Sequence, residues 1–217
     1  MRTINVTGKA NLKVAPNQTK VRLTIRGYAI EYGDALAKSV EDTKIIKDTI
    51  SACGIDREAL KTENFYTAER TKRVEDKNGN FSYRHIGYDV THYMNFIFDN
   101  NNEILGQVLY ELSKLSINPR LDVSYVVKDA EKYKSELIGL AVNDAKRKAE
   151  AMAIASGVTL GNIVHMDYSY QTISFESRRY LEMDIKECCK TVGGFNLDIN
   201  PEDENLIDTV TITWKIK

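Results

Sequence analysis

Apolar and polar positions alternate strictly at the start of the chain. Ile4, Val6, Gly8, Ala10, Leu12 and Val14 share one parity, and Thr3, Asn5, Thr7, Lys9, Asn11 and Lys13 share the other. A period of two over this length predicts a half-buried strand. Ala15-Pro16-Asn17-Gln18 breaks the pattern as a turn, and Val21, Leu23, Ile25, Gly27 and Ala29 resume it. The pair reads as a long antiparallel hairpin. From Tyr32 to Cys53 the period lengthens toward 3.6. Ala35, Leu36, Val40, Ile45, Ile46 and Ile50 form the apolar stripe of a helix, which Gly54 closes.

Lys61 to Arg73 and Phe81 to Phe98 are predicted strands around an Asn78-Gly79 turn. Tyr88, Val90, His92, Met94, Phe96 and Phe98 share one face of the second strand. A short helix over Glu103 to Leu115 follows, then a strand over Leu121 to Val127. A long helix runs from about Ala130 to Ser156, with Asp129 as its N-cap and Gly157 as its stop. Ile163 to Ile173 and Ile207 to Ile216 read as strands, and Glu176 to Asn205 between them as irregular chain. The order implies an α+β fold: antiparallel sheets built from long hairpins, helices packed on one face, one of them long and alanine-rich. The expectation is a single domain over residues 1–217, or two intimately packed lobes at about 1–98 and 99–217.

The long helix keeps one stripe small. Ala141, Ala145, Ala149 and Ala153 stand four apart, on one helical face. Two readings are open. The helix lies flat on a sheet, its alanines beneath Leu137, Leu140, Val142, Met152 and Ile154, or the stripe is a helix–helix interface between subunits. The string AxxxAxxKAxxMAxxxGxxLGxI, from Ala141 through Gly157 and Gly161 to Ile163, resembles the signature of the SIMPL-domain family. That family was long classed as a domain of unknown function, and it includes periplasmic immunogenic proteins of Gram-negative bacteria. Ile4, Val6 and Gly8 are similar to its opening strand, and Pro16 to its turn. Gly54-Ile55 with Lys61-Thr62 resembles its first helix–strand junction. Gly87-Tyr88 is similar to the start of its central strand, and Pro201 with Val210 to Trp214 to its tail. Residues 175–190 match no part of the pattern. The resemblance implies homo-oligomeric, ring-like assembly and links to the envelope, to stress tolerance or to signalling complexes. It implies no active site.

Composition narrows the chemistry. The 30 basic and 31 acidic residues nearly cancel, so no global field attracts nucleic acid. No stretch is apolar enough for a membrane helix. The N-terminus alternates where a signal peptide would run apolar. The chain as written is therefore expected to be cytoplasmic, or exported if a leader has been trimmed. The histidines His85, His92 and His165 lie far apart, and neither GxSxG nor a phosphate loop occurs. Asp198, Glu202, Asp203 and Glu204 lack calcium-loop spacing. No cofactor or metal is expected. Cys188 and Cys189 are adjacent, near Lys186 and Lys190, and form a redox candidate. Twelve tyrosines outnumber six phenylalanines, a balance that suits half-exposed strand faces and interfaces. These features predict a non-enzymatic, self-associating scaffold that forms a homo-oligomer and binds protein partners but not nucleic acid. The alternative is a small-molecule binder or hydrolase with a site between sheet and helices, built around His92.

Overall fold

The computed structural model describes residues 2–75, 79–168 and 199–217, and the backbone of 181–183. Its strands are β1 (Thr3–Val14), β2 (Gln18–Ala29), β3 (Lys61–Glu75), β4 (Phe81–Asp99), β5 (Arg120–Val126), β6 (Leu160–Asp167), β7 (Leu181–Met183) and β8 (Glu204–Ile216). The helices are α1 (Tyr32–Ala52), α2 (Asn102–Ser113) and α3 (Ala130–Ala155). Two sheets form, in the orders β1-β8-β6 and β3-β4-β2-β5-β7. All strand pairings are antiparallel among those resolved in register, and the class is α+β.

The first two strands do not form a hairpin. β1 pairs with β8 along its full length, from Thr3↔Lys215 to Val14↔Glu204, and β2 pairs with β4. Alternation fixes which face a residue takes but is silent on which strand lies alongside. The linking turn is tied elsewhere. Asn17 donates its amide to the Val126 carbonyl at 3.2 Å, and its side-chain oxygen accepts from the Lys128 amide at 2.8 Å. By contrast, β3 and β4 do form the hairpin expected of them. Residues 76–78 of its turn lie outside the described residues, as do 169–173 of the strand expected at Ile163 to Ile173.

The chain divides into two compact units. One contains β1, β6, β8 and α3. Val6, Ala10 and Val14 meet Leu206, Val210, Ile212 and Trp214 beneath α3. The alanine stripe supplies the other wall: Ala141, Ala145 and Ala149 are wholly buried and Ala153 nearly so. The stripe thus belongs to this unit's own core, as the first of the two readings expects. Leu140, Met152 and Ile154, expected to share the buried side, face outward, with Ile154 80% exposed. Asp129 occupies the N-cap position but makes no side-chain capping bond. Gly157 closes α3 at φ +65°, in the left-handed region that a helix stop requires.

The second unit contains β2 to β5, β7, α1 and α2. Val21, Leu23, Ile25, Met94 and Phe96 pack against Ile46 and Ile50 of α1 and Leu105, Val108 and Leu112 of α2. The inner face of α1 is not the stripe read from its apolar residues. Ala35, Ser39, Asp42, Ile46 and Ile50 are buried, while Val40 is 71% exposed and Ile45 is also outside. Two polar side chains therefore sit on the buried side of α1, above the sheet.

Candidate functional site

His92 lies where α1 meets the sheet. It is 7% exposed, in the middle of β4, and both ring nitrogens are engaged. Thr43 Oγ1 of α1 lies 3.2 Å from Nδ1, and Thr62 Oγ1 of β3 lies 2.8 Å from Nε2. Thr43 donates its own hydroxyl hydrogen to the Ser39 carbonyl at 2.7 Å. Its oxygen can then only accept, which places the ring proton on Nδ1 and leaves Nε2 to accept from Thr62. One imidazole so ties α1, β3 and β4 together, with Phe65 edge-on to it at 5.1 Å between ring centroids. Burial pushes the His92 pKa down. Asp42, 8% exposed on the same face of α1, is pushed up by burial; Lys38 counters this and Glu41 adds to it. Both ring nitrogens of His92 are taken by threonine hydroxyls and not by a carboxylate, so the Ser-His-Asp arrangement is not built around His92.

The matched motif residues of the first unit do structural work. A Cβ on Gly8 would fall on the Ala141 carbonyl oxygen and lie 2.5 Å from the Ala145 nitrogen. Gly8 is therefore what lets α3 lie directly on β1. Beside it, Asp144 of α3 accepts the Lys9 amide at 2.9 Å and pairs with Lys148 at 2.7 Å and Arg147 at 2.9 Å. Lys148 also reaches the Thr7 carbonyl at 3.2 Å. These bonds occupy backbone groups on the outer edge of β1 that another strand would need. They hold the Asp144 carboxyl far below the usual range, the Lys148 bond foremost and then those of Lys9 and Arg147. A Cβ on Gly161 of β6 would lie 3.1 Å from the Lys215 carbonyl. Sequence reading missed Asp144; its place in the string AxxDAxxKA was the available signal.

In the second unit, Gly87 sits beside a register shift in the β3–β4 pairing, and Tyr88 packs against Tyr32 and His85. Beyond this point β2 has ended, since its last pair is Ala29↔Tyr88. β3 and β4 continue alone as a two-stranded ribbon, pairing Thr71 to Glu75 with His85 to Phe81. Phe81 is 54% and Tyr83 74% exposed, and Val74 is exposed as well. Tyr66, Tyr83 and Tyr93 are exposed, while Tyr125 is buried. Tyr170 and Tyr180 lie outside the described residues, as do Cys188 and Cys189. Cys53 is buried, and burial raises its thiol pKa, with Glu111 adding to the effect and Lys114 opposing it. Among the described residues, no group of histidine, cysteine and carboxylate side chains could hold a metal ion. Likewise no described helix is long and apolar enough to cross a membrane.

Two helix-covered antiparallel sheets and an exposed two-stranded ribbon define an α+β protein. The chain belongs to the SIMPL family, described as proteins of unknown function (DUF541), whose profile matches residues 4–214. No curated protein matches it.

Proposed function

We propose that this SIMPL protein is a non-enzymatic, self-associating protein-interaction scaffold. The observation that carries this reading is the β3–β4 ribbon. Two strands alone are marginally stable in water, because they have no core of their own. Here such a ribbon presents Phe81 and Tyr83 on one face and Val74 on the other, all three exposed. Exposed apolar side chains on a ribbon with no core of its own support an interaction role. The outer strand of the other sheet adds a second apolar surface, since Ile163, Val164 and Met166 of β6 are all exposed. The family resemblance connects such a scaffold with stress tolerance or envelope maintenance. Replacing Phe81 and Tyr83 together by serine tests the reading: the wild type sediments as an assembly, and the variant as a smaller species with an unchanged melting curve. An unchanged assembly would remove the ribbon from this role.

One observation favours the hydrolase reading. Thr62 Oγ1 and His92 Nε2 stand at a nucleophile–base distance, and Thr62 is exposed. Against it, Nδ1 is oriented by a threonine and burial makes the ring a poorer base. Ester hydrolysis abolished by Thr62→Val would revive that reading.

A further inference from the structure

β3 is an edge strand. It ends the order β3-β4-β2-β5-β7, so one long side of it meets no other strand among the described residues. Asn64 to Tyr66 and Glu69 to Glu75 are exposed. Such an edge is a row of N–H and C=O groups able to pair with another chain. The β1 edge is blocked by Asp144 and Lys148 of α3. Over residues 64–72 of β3 the comparable bond among the described residues is local: the Phe65 amide donates to the Asn64 side chain at 2.8 Å. Phe65 thus turns its backbone groups to the open edge. The bulge residue Glu63 precedes this stretch, and the extra residue at the second register shift, Ile86, lies on β4. β3 therefore alternates without interruption from Asn64 onward, and Thr67, Glu69 and Thr71 turn outward like Phe65.

Outward groups can meet only outward groups, so a second β3 laid antiparallel alongside must pair odd residues with odd ones. Charge then selects the register. Centred on Ala68, residues 64–72 pair with the same residues of the other copy. Arg70 falls opposite Tyr66, Glu69 opposite Thr67 and Lys72 opposite Asn64, so no like charges meet. Centring on Glu69 or Arg70 sets that residue against itself, and centring on Thr71 sets Arg70 against Lys72. Centring on Tyr66 or Thr67 shortens the pairing at the Glu63 bulge. Arg70 and Glu69 already pair within the chain, with Asp89 and His85, so the Ala68 register needs no new ion pair, only the absence of repulsion. We propose that β3 pairs antiparallel with β3 of a second copy about a two-fold axis at Ala68, fusing two five-stranded sheets into one. This inference rests on the self-association reading and adds the β3 edge to the ribbon faces named there. One patch meets itself, so the contact is isologous and closes as a dimer. The Thr71 carbonyl of the second copy takes the Phe65 amide from Asn64. Phe65 and Tyr66, 42% and 60% exposed in the single chain, gain cross-strand neighbours, Tyr66 facing the Arg70 guanidinium.

Sedimentation of the full chain over a concentration series tests this. Because Ala68 lies on the axis, Ala68→Lys or Ala68→Glu sets like charges face to face when either variant pairs with itself, and opposite charges when the two pair together. Each alone is expected to raise the concentration for half-dimerisation about fivefold, and an equimolar mixture to return it to the wild-type value or below. Thr67→Pro removes a donor that faces the open edge and leaves the β3–β4 bonds in place, and is expected to raise that concentration at least about tenfold. If the wild type associates and every variant keeps its midpoint, this contact is overturned while self-association stands. A mixture of the Ala68 variants that associates no better than either alone also overturns it, and loss of folding cannot imitate the rescue. A wild type that is monomeric throughout overturns both.

Discussion

Gly8 and Gly139 carry the same side chain and opposite expectations. Gly8 lies under α3 with no space for a methyl group, whereas a Cβ on Gly139, within α3, would meet nothing within 4 Å. Gly8→Ala is predicted to cost about 3 kcal/mol, the upper part of the overpacking range. Gly139→Ala is predicted to stabilise by about 1 kcal/mol, through helix propensity alone. Urea unfolding of both variants checks the pair, and equal effects would refute the close approach of α3 to β1. His92 supplies the pH dependence at this scale. Because burial lowers its folded pKa, the unfolded chain binds a proton first as the pH falls below about 6.5. Its contribution to stability is complete above that pH and is lost as the pH falls toward the folded value. Asp42 acts in the opposite sense, since its raised pKa removes stability as the pH rises above 3.8 through the folded value. The melting temperature is therefore expected to fall between about pH 7.5 and 5.5 in the wild type, and to fall less in His92→Gln. Equal slopes would show that His92 does not titrate on unfolding. Asp42→Asn is expected to raise the melting temperature at neutral pH.

At the scale of elements, much was legible in the sequence and the gaps have physical reasons. The strict alternation of β1 and β8 carries their buried faces directly, and the helix ends at Gly54 and Gly157 follow from their left-handed φ of +84° and +65°. Partner choice was not legible, because period two is satisfied equally by β2 or β8 beside β1. On α1 the apolar residues were too few to define the inner face, and Ser39 and Asp42 took it in place of Val40. The His92 network was out of reach for a related reason, since it joins Thr43 and Thr62 across three elements. The ribbon was hidden too: the lengths of β3 and β4 were readable, but where β2 stops beside them depends on register. This element gives its own prediction. Lys72→Glu places opposite charges across the ribbon and is expected to stabilise the chain by about 0.5 kcal/mol. An unchanged unfolding midpoint would show that water already screens the Lys72–Arg84 repulsion.

At the scale of the whole molecule, each unit covers one sheet with helices and leaves particular strand surfaces open. The first unit blocks the edge of β1 with Asp144 and Lys148 and leaves Ile163 and Met166 of β6 outside. The second extends a ribbon with Phe81 and Tyr83 exposed and with Lys72 and Arg84 directly opposite each other. Membership of the SIMPL family follows from the match over residues 4–214. The small-residue stripe that first signals that membership packs α3 on its own sheet. Self-association is therefore the central claim, and the solution mass tests it most directly. Light scattering behind a sizing column, over a range of concentrations, is predicted to give a stable multiple of 24.6 kDa. A mass of 24.6 kDa at every concentration would contradict the account.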